Sequence, residues 1–119
     1  MLNKKKVFLV TGAAGFIGSH MIDYLLKKKF NVIGLDNLKN GRIENIKHNL
    51  KNRKFRFFKE DILNIIKLKN KIKSIDYIIH FAGLGEVVPS IENPSLYLEQ
   101  NIMGTTKVLD FSRKLKIKK

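Results

Sequence analysis

The stretch Val7-Phe8-Leu9-Val10-Thr11-Gly12-Ala13-Ala14-Gly15-Phe16-Ile17-Gly18 decides how the rest of the chain is read. Four apolar residues in a row, without alternation, suit a strand buried on both faces. Thr11-Gly12 stops that run, and Ile17, Met21, Ile22, Leu25 and Leu26 then recur at helical spacing. The glycines between strand and helix have separate tasks. Gly12 permits a tight turn out of the strand. Gly15 lets the backbone approach a pyrophosphate with no side chain in the way, and Gly18 lets helix and strand pack closely. A helix starting there offers unpaired N–H groups and a partial positive charge to an anion.

Working outward, three more apolar runs read as strands: Asn31–Leu35, Phe55–Phe58 and Tyr77–Phe81. A short helix with Ile43, Ile46 and Leu50 is expected between the second and third. Another, with Ile62, Ile65 and Ile66 and Lys69 as its snorkelling edge, is expected between the third and fourth. The last helix opens with Asn93 as N-cap and Pro94 at the first helical position. From there Leu98, Asn101, Ile102, Thr105, Val108, Leu109 and Ser112 follow a 3–4 spacing to Leu115. Strand–helix repeated four times predicts an α/β fold with a parallel sheet. Right-handed crossovers then give the strand order 3-2-1-4 with helices on both faces, a Rossmann fold. Ligands of such sheets bind at the carboxyl ends of the strands, where the chain reverses between the first and fourth. Asp36 ends the second strand roughly 20 residues past the glycine loop, where an acid meets the adenosine ribose 2′-hydroxyl and repels a 2′-phosphate. NAD is therefore expected over NADP, with Lys39 and Arg42 as nearby cations acting in the other direction.

Bulk properties narrow the rest. A length of 119 residues fits one domain, and 44% hydrophobic content supplies a core. Cysteine is absent, so disulfides and thiolate metal sites are excluded. His20, His48 and His80 lack metal-ligand spacing, and no metal is expected. No apolar run reaches the roughly 20 residues of a membrane span. Met1-Leu2-Asn3-Lys4-Lys5-Lys6 looks like the basic start of an export signal, but Val7–Val10 is too short an apolar core for one. A cytoplasmic protein is expected.

The spacing Thr-Gly-x-x-Gly-x-x-Gly resembles the short-chain dehydrogenase/reductase superfamily. Gly15-Phe16-Ile17-Gly18-Ser19-His20 is similar to its extended branch, the NAD-dependent epimerase/dehydratase family that acts on nucleotide sugars. Asp36-Asn37-Leu38 with Asn40-Gly41 resembles the ribose-binding segment of UDP-hexose 4-epimerases, and Asp61-Ile62 the pair that contacts adenine. His80-Phe81-Ala82-Gly83-Leu84 resembles the loop over the cofactor, and Val87, Ser90, Pro94, Tyr97, Asn101 and Gly104-Thr105 repeat the family pattern onward. The resemblance, which covers nearly the whole chain, implies that Gly12, Gly15, Phe16, Ile17, Gly18, Asp36, Asn37, Asp61, Ile62, Phe81, Ala82, Gly83 and Gln100 form the NAD site. Phe16 and Ile17 also read as core side chains that offer the cofactor only backbone N–H groups. Asn101 and Thr105 also read as bonding backbone across a helix interface, and His80 as a hydrogen-bonded strand-end residue rather than an acid–base group. Gly85 departs from the pattern, standing where several 4-epimerases carry lysine, which leaves the sugar open.

The family's chemistry rests on a Tyr-x-x-x-Lys pair, in which lysine lowers the tyrosine pKa so that it can take a sugar hydroxyl proton. The literal match here, Tyr24 with Lys28, falls on the first helix and is read as chance; no catalytic residue is expected in this chain. Residues 1–119 are thus expected to be the N-terminal part of the NAD-binding domain, with the catalytic and substrate portion lying beyond. Such a piece would be inactive and poorly soluble alone, its fourth strand an unpaired edge. A homodimer is expected only of a full-length form.

The formal charge of +14, from 24 Lys and Arg against 10 Asp and Glu, raises nucleic acid as a partner. The basic clusters are Lys4–Lys6, Lys27–Lys29, Lys51–Lys54 with Arg53, Lys69–Lys73 and Lys114–Lys119. The first four precede the four strands and the last would precede a fifth, so all fall opposite the cofactor, where a lysine-rich composition and helix C-termini account for them. The alternatives are a non-catalytic dinucleotide-binding remnant and a basic RNA-binding protein on the same scaffold. Stacking aromatics would mark an RNA face; Phe55 and Phe57 alone lie near, and they read as core.

Overall fold

Strands β1 (Val7–Thr11), β2 (Asn31–Asp36), β3 (Phe55–Lys59) and β4 (Tyr77–His80) lie parallel in the order β3-β2-β1-β4. The computed structural model describes residues 5–117; Met1-Leu2-Asn3-Lys4 and Lys118-Lys119, which include the ends of two basic clusters, lie outside them. Register is in step across the sheet, with Val10 opposite Gly34 on one side and Ile79 on the other. Each strand boundary agrees with the expectation to within one residue.

Alternate residues of the central strands feed two cores. Leu9, Ile33 and Leu35 face Ile65, Leu68 and Phe111 on one side. On the other, Val10 and Val32 face Ile22, Leu25 and Leu26 of α1 (Phe16–Lys27). This is the three-layer arrangement expected of a parallel sheet, whose strands bury both faces. Gly34 belongs to it: a Cβ there would come within 3.0 Å of Ala13 and Phe55.

The connections differ more from their sequence readings. The short helix expected around Ile43, Ile46 and Leu50 is two separate 3₁₀ turns, Ile43–Asn45 and Lys47–Asn49. Of its three apolar anchors only Ile46 is buried, and Leu50 is 42% exposed. Asn45 and Asn49 spend their amides elsewhere, on the Ala14 carbonyl and Asp23, and such side chains compete with a regular helix. The next segment, Ile62–Asn70, is 3₁₀ with a kink at Asn64. It buries Ile62, Ile65 and Leu68, not Ile66. That spacing of three is the period of a 3₁₀ turn, in which residues i and i+3 eclipse.

The final helical region is segmented. Helix α2 (Val87–Glu92), which the spacing does not predict, stops at Asn93, whose φ of −138° and ψ of 70° leave the helical region. Proline disfavours helical geometry in the residue before it, and Pro94 opens α3 (Pro94–Leu98). Asn93 caps α3 as expected, its side chain accepting from the Leu96 N–H. A π turn over Glu99–Met103 leads into α4 (Gly104–Lys114). The buried line of α4 is Gly104, Val108 and Phe111; Leu98, Ile102 and Leu109 of the expected stripe are more than half exposed. Gly104 decides this, since a Cβ there would strike Ile62 Cδ1, so its bare backbone lets α4 settle on the 3₁₀ segment.

Candidate functional site

The loop from β1 into α1 forms the floor of the site. Gly12 has φ of +67°, and a Cβ on it would sit 2.8 Å from the Ala82 nitrogen and the Phe81 carbonyl carbon. Only glycine fits both constraints. A Cβ on Gly18 would lie 2.0 Å from the Gly12 oxygen, so Gly18 packs against the turn itself. Gly15 differs: its Cβ would meet nothing nearer than the Gly12 oxygen at 3.3 Å. Even that contact is tight, so a side chain on Gly15 would press on the turn. No side chain caps α1, so none takes its first-turn N–H groups.

Asp36 stands beside this loop at the end of β2. Its Oδ2 accepts the Ala14 N–H at 2.9 Å and its Oδ1 the Leu38 N–H at 2.8 Å. The carboxylate is 9% exposed, and two backbone donors hold it in place. A carboxylate has about four lone-pair sites, so it keeps capacity for a further donor from the cleft it lines. Gly41 closes the other side; a Cβ there would be 2.7 Å from Oδ2. The Ala14 carbonyl takes Arg42 N–H and the Asn45 amide, tying the segment after β2 to the glycine loop.

A second network fixes the opposite wall. The fully buried Thr11 hydroxyl accepts the N–H groups of Phe81 and Ala82, both at 3.1 Å, and lies 2.6 Å from His80 Nδ1. With two donors already directed at it, the hydroxyl gives its own hydrogen to Nδ1. His80 therefore carries its proton on Nε2, which donates to Thr105 Oγ1 at 3.1 Å. Thr105 passes its hydrogen to the Asn101 carbonyl at 2.6 Å. Burial holds the His80 pKa below its ordinary 6.5, in keeping with a neutral ring. Asn101 in turn brackets Leu84, accepting its N–H at 2.7 Å and donating to its carbonyl at 2.8 Å. Its Oδ1 would lie 3.0 Å from a Cβ on Gly83. His80 is thus a hydrogen-bonded strand-end residue, whereas the interface reading of the other two is only partly met: Asn101 bonds the backbone of the loop at Leu84, and Thr105 bonds backbone within its own helical region.

Between these walls lies a cleft of ≈ 360 Å³ at the carboxyl ends of the strands. Gly12, Gly15, Asp36, Asn37, Ile62, Phe81, Ala82, Gly83 and Gln100 line it, which brings most of the expected residues together. Asp61 does not line it: its carboxylate caps the following turn through Leu63 N–H and takes the Asn37 amide at 3.2 Å. Gly18 is buried in the loop. The core reading of Phe16 and Ile17 is overturned, since they are 77% and 62% exposed. At the first turn of α1 the Phe16 ring meets that of His20, with centroids 4.6 Å apart, and neither Phe16 nor Ile17 lines the cleft. Glu60 and Glu86 also line it, and the sequence reading misses both. Glu60 follows a strand end, a signal present in the sequence; Glu86 is placed by α2, which has no such signal. Tyr24 and Lys28 lie outside the cleft, with the ammonium 5.7 Å above the ring of its own helix neighbour. Among the described residues no group of acids and histidines could hold a metal ion, and no helix is long and apolar enough to cross a membrane.

Comparison with known proteins agrees with the fold. The family model described as GDP-mannose 4,6 dehydratase matches residues 9–119. A UDP-glucose 4-epimerase of Yersinia enterocolitica is 42% identical over 106 residues, covering 86% of this chain and 32% of that protein. Among solved structures, the UDP-Glc/GlcNAc 4-epimerase of Campylobacter jejuni superposes with a TM-score of 0.86 at 32% identity, over 94% of this chain and 35% of the other. The UDP-glucose 4-epimerase of Thermus thermophilus, solved in complex with NAD, gives 0.82 at 32% identity, over 93% and 35%. The chain therefore spans about a third of the length of the relatives it matches.

Proposed function

Because this chain belongs to the GDP-mannose 4,6 dehydratase family, we propose that it holds NAD, as the first part of the cofactor domain of a nucleotide-sugar epimerase or dehydratase. The observation that carries this reading is the contrast among the three glycines. A Cβ on Gly12 or Gly18 would come within 2.8 Å or less of neighbouring backbone, whereas one on Gly15 would meet only the Gly12 oxygen, at 3.3 Å, and Gly15 lines the cleft before an uncapped helix start. A pyrophosphate fits that space, bound by the N–H groups of Phe16 and Ile17 and by the helix dipole.

Other residues take their places around it. Asp36, fixed by Ala14 and Leu38, accepts a ribose hydroxyl and repels a 2′-phosphate, so NAD is preferred to NADP. Asn37 and Ile62 flank the adenine end, and Asp61 acts there through Asn37, which it orients. Phe81, Ala82 and Gly83 form the wall along the cofactor, held by Thr11 and Asn101, and Gln100 reaches the phosphates. Bound NAD would supply reversible hydride transfer with a sugar carbon. Among the described residues no Tyr-x-x-x-Lys pair faces the cleft, so proton transfer at the sugar falls to residues beyond this third of the family's length. Turnover by these 119 residues alone is not expected.

Calorimetric titration with NAD, NADP and ADP-ribose tests the reading. NAD and ADP-ribose should bind with similar affinity and NADP at least tenfold more weakly. Saturation at about 100 times Kd should stabilise the fold by about 2.7 kcal/mol in a thermal melt. A melting temperature unmoved by millimolar NAD would overturn the proposal, and sugar-nucleotide turnover by the chain would overturn its division of labour.

A further inference from the structure

A second cavity lies at the other end of the sheet, about 470 Å³ in volume, where the strands begin. Its floor is partly apolar, with Val32, Ile33 and Ile72, all buried. Its rim is cationic: Arg53, Lys54, Arg56, Lys71 and Lys73 all line it.

Helix ends explain only some of these charges. Lys71 follows a 3₁₀ segment, where a cation suits the terminal carbonyls. Arg53, Lys54 and Arg56 sit around the start of β3, where Lys54 Nζ donates to the Lys29 carbonyl past the end of α1 at 3.2 Å and Arg56 to the Lys71 carbonyl at 3.5 Å. Acids do not neutralise the rim. Among the described residues the ion pairs within 4.0 Å are His48–Asp23 and Arg113–Asp110, and neither touches this cavity. Around Lys54 other cations gather instead. The close ammonium of Lys5, then desolvation, then Lys29 push the Lys54 pKa below its ordinary value. Arg56 lies over the Phe58 ring at 5.1 Å. Like charges gathered around a concave surface raise the local potential and cost free energy until an anion fills it.

We propose that this cleft is a binding site for an oligophosphate, the cations of residues 53–56 and 71–73 converging on a chain of phosphates. A triphosphate brings about four negative charges, which matches the five rim cations more closely than a single phosphate does. The Arg53 and Arg56 guanidinium groups can each grip a phosphate through two parallel N–H donors. The phosphates have two possible sources, free oligophosphate or a nucleoside triphosphate. The site is separate from the glycine-loop cleft, and the proposal holds whether or not that cleft takes NAD.

Amide NMR titration of the 119-residue chain at low salt tests it, with sodium tripolyphosphate as the first probe. The amides of Asn31, Lys54 and Ser74 should shift saturably, at concentrations that leave Gly12 and Gly15 unmoved. The double substitution Arg53→Ser and Lys73→Ser changes exposed residues and should weaken this binding by about tenfold or more, with spectral dispersion reporting an intact fold. ATP titrated into NAD-saturated protein separates the sources. Tighter binding than tripolyphosphate at the same amides assigns the site to a nucleotide, and equal or weaker binding assigns it to the phosphate chain. Three results would overturn the proposal. One is shifts confined to the glycine loop. Another is equal shifts with sulfate at matched ionic strength. The third is a cleft that ignores tripolyphosphate yet binds oligouridylate, which would make the face a nucleic-acid surface.

Discussion

At the residue scale, Thr11 and Asp36 carry the site, each by holding backbone that is far away in sequence. Asp36 reaches 22 residues back to the Ala14 N–H, and Thr11 reaches 70 forward to Phe81. Asp36→Asn keeps the shape but offers an NH₂ to one of two buried donors. It should lower stability by about 1–3 kcal/mol in urea denaturation, the cost of leaving such a donor unmade, and weaken NAD binding as well. His80 gives a pH-dependent counterpart. Burial depresses its folded pKa below 6.5, so the unfolded chain binds the extra proton first. The stability it contributes is full above pH 6.5 and is lost as pH falls through the depressed folded value. Protonation would also put a hydrogen on Nδ1, facing the one Thr11 already donates. Thermal melts between about pH 7.5 and 5 should show this acid loss in the native chain and less of it in His80→Gln. His80 reads correctly from its place at a strand end, but its tautomer follows only from the partners that surround it.

At the element scale, α3, the π turn and α4 act as one brace on the loop after β4. The brace works through Asn101, whose two hydrogen bonds to Leu84 close a ring between helix and loop. Asn101→Ala should cost about 1–3 kcal/mol and speed hydrogen exchange at the Leu84 amide selectively. Asn101→Asp keeps the acceptor but repels the Leu84 carbonyl, so it should restore only part of that protection. Existence and order of the elements are legible because periodicity and caps are local: Asn93-Pro94 starts α3 where expected. The type of the Ile62–Asn70 turn is also written in its spacing of three, though helical periodicity selects Ile66 in place of Leu68. The face that α4 buries is not legible. Two apolar lines run along it, and only the contact of Gly104 with Ile62 chooses between them.

At the scale of the whole molecule, charge and function are separated by the sheet. The carboxyl ends carry the Asp36, Glu60 and Glu86 carboxylates around the candidate cofactor cleft. The amino ends carry Arg53, Lys54, Arg56, Lys71 and Lys73 around the other. With +14 formal charges and few ion pairs among the described residues, the fold works against its own repulsion. Raising sodium chloride from about 20 to 300 mM shortens the Debye length from over 20 Å to under 6 Å and should raise the melting temperature by a few degrees. Substituting Arg53 and Lys73 should reduce that salt response. A melting temperature that falls with salt would show that attractive pairs dominate instead. Strand β4, at the sheet edge among the described residues, is where self-association should begin as concentration rises.

By itself the sequence determined the four strands, their order, the glycine turn and the acid beside it. These depend on spacing along the chain and on a crossover handedness that every parallel sheet shares. Tertiary structure alone decided that Asp61 caps a turn instead of lining the cleft, that Phe16 and Ile17 lie exposed, and that Glu86 joins the site. It also decided which cations of the separate basic clusters meet around one cavity. The physical reason is the same in each case. Hydrogen-bond partners, cover and like-charge neighbours are supplied through space by residues tens of positions away, and no local pattern records them.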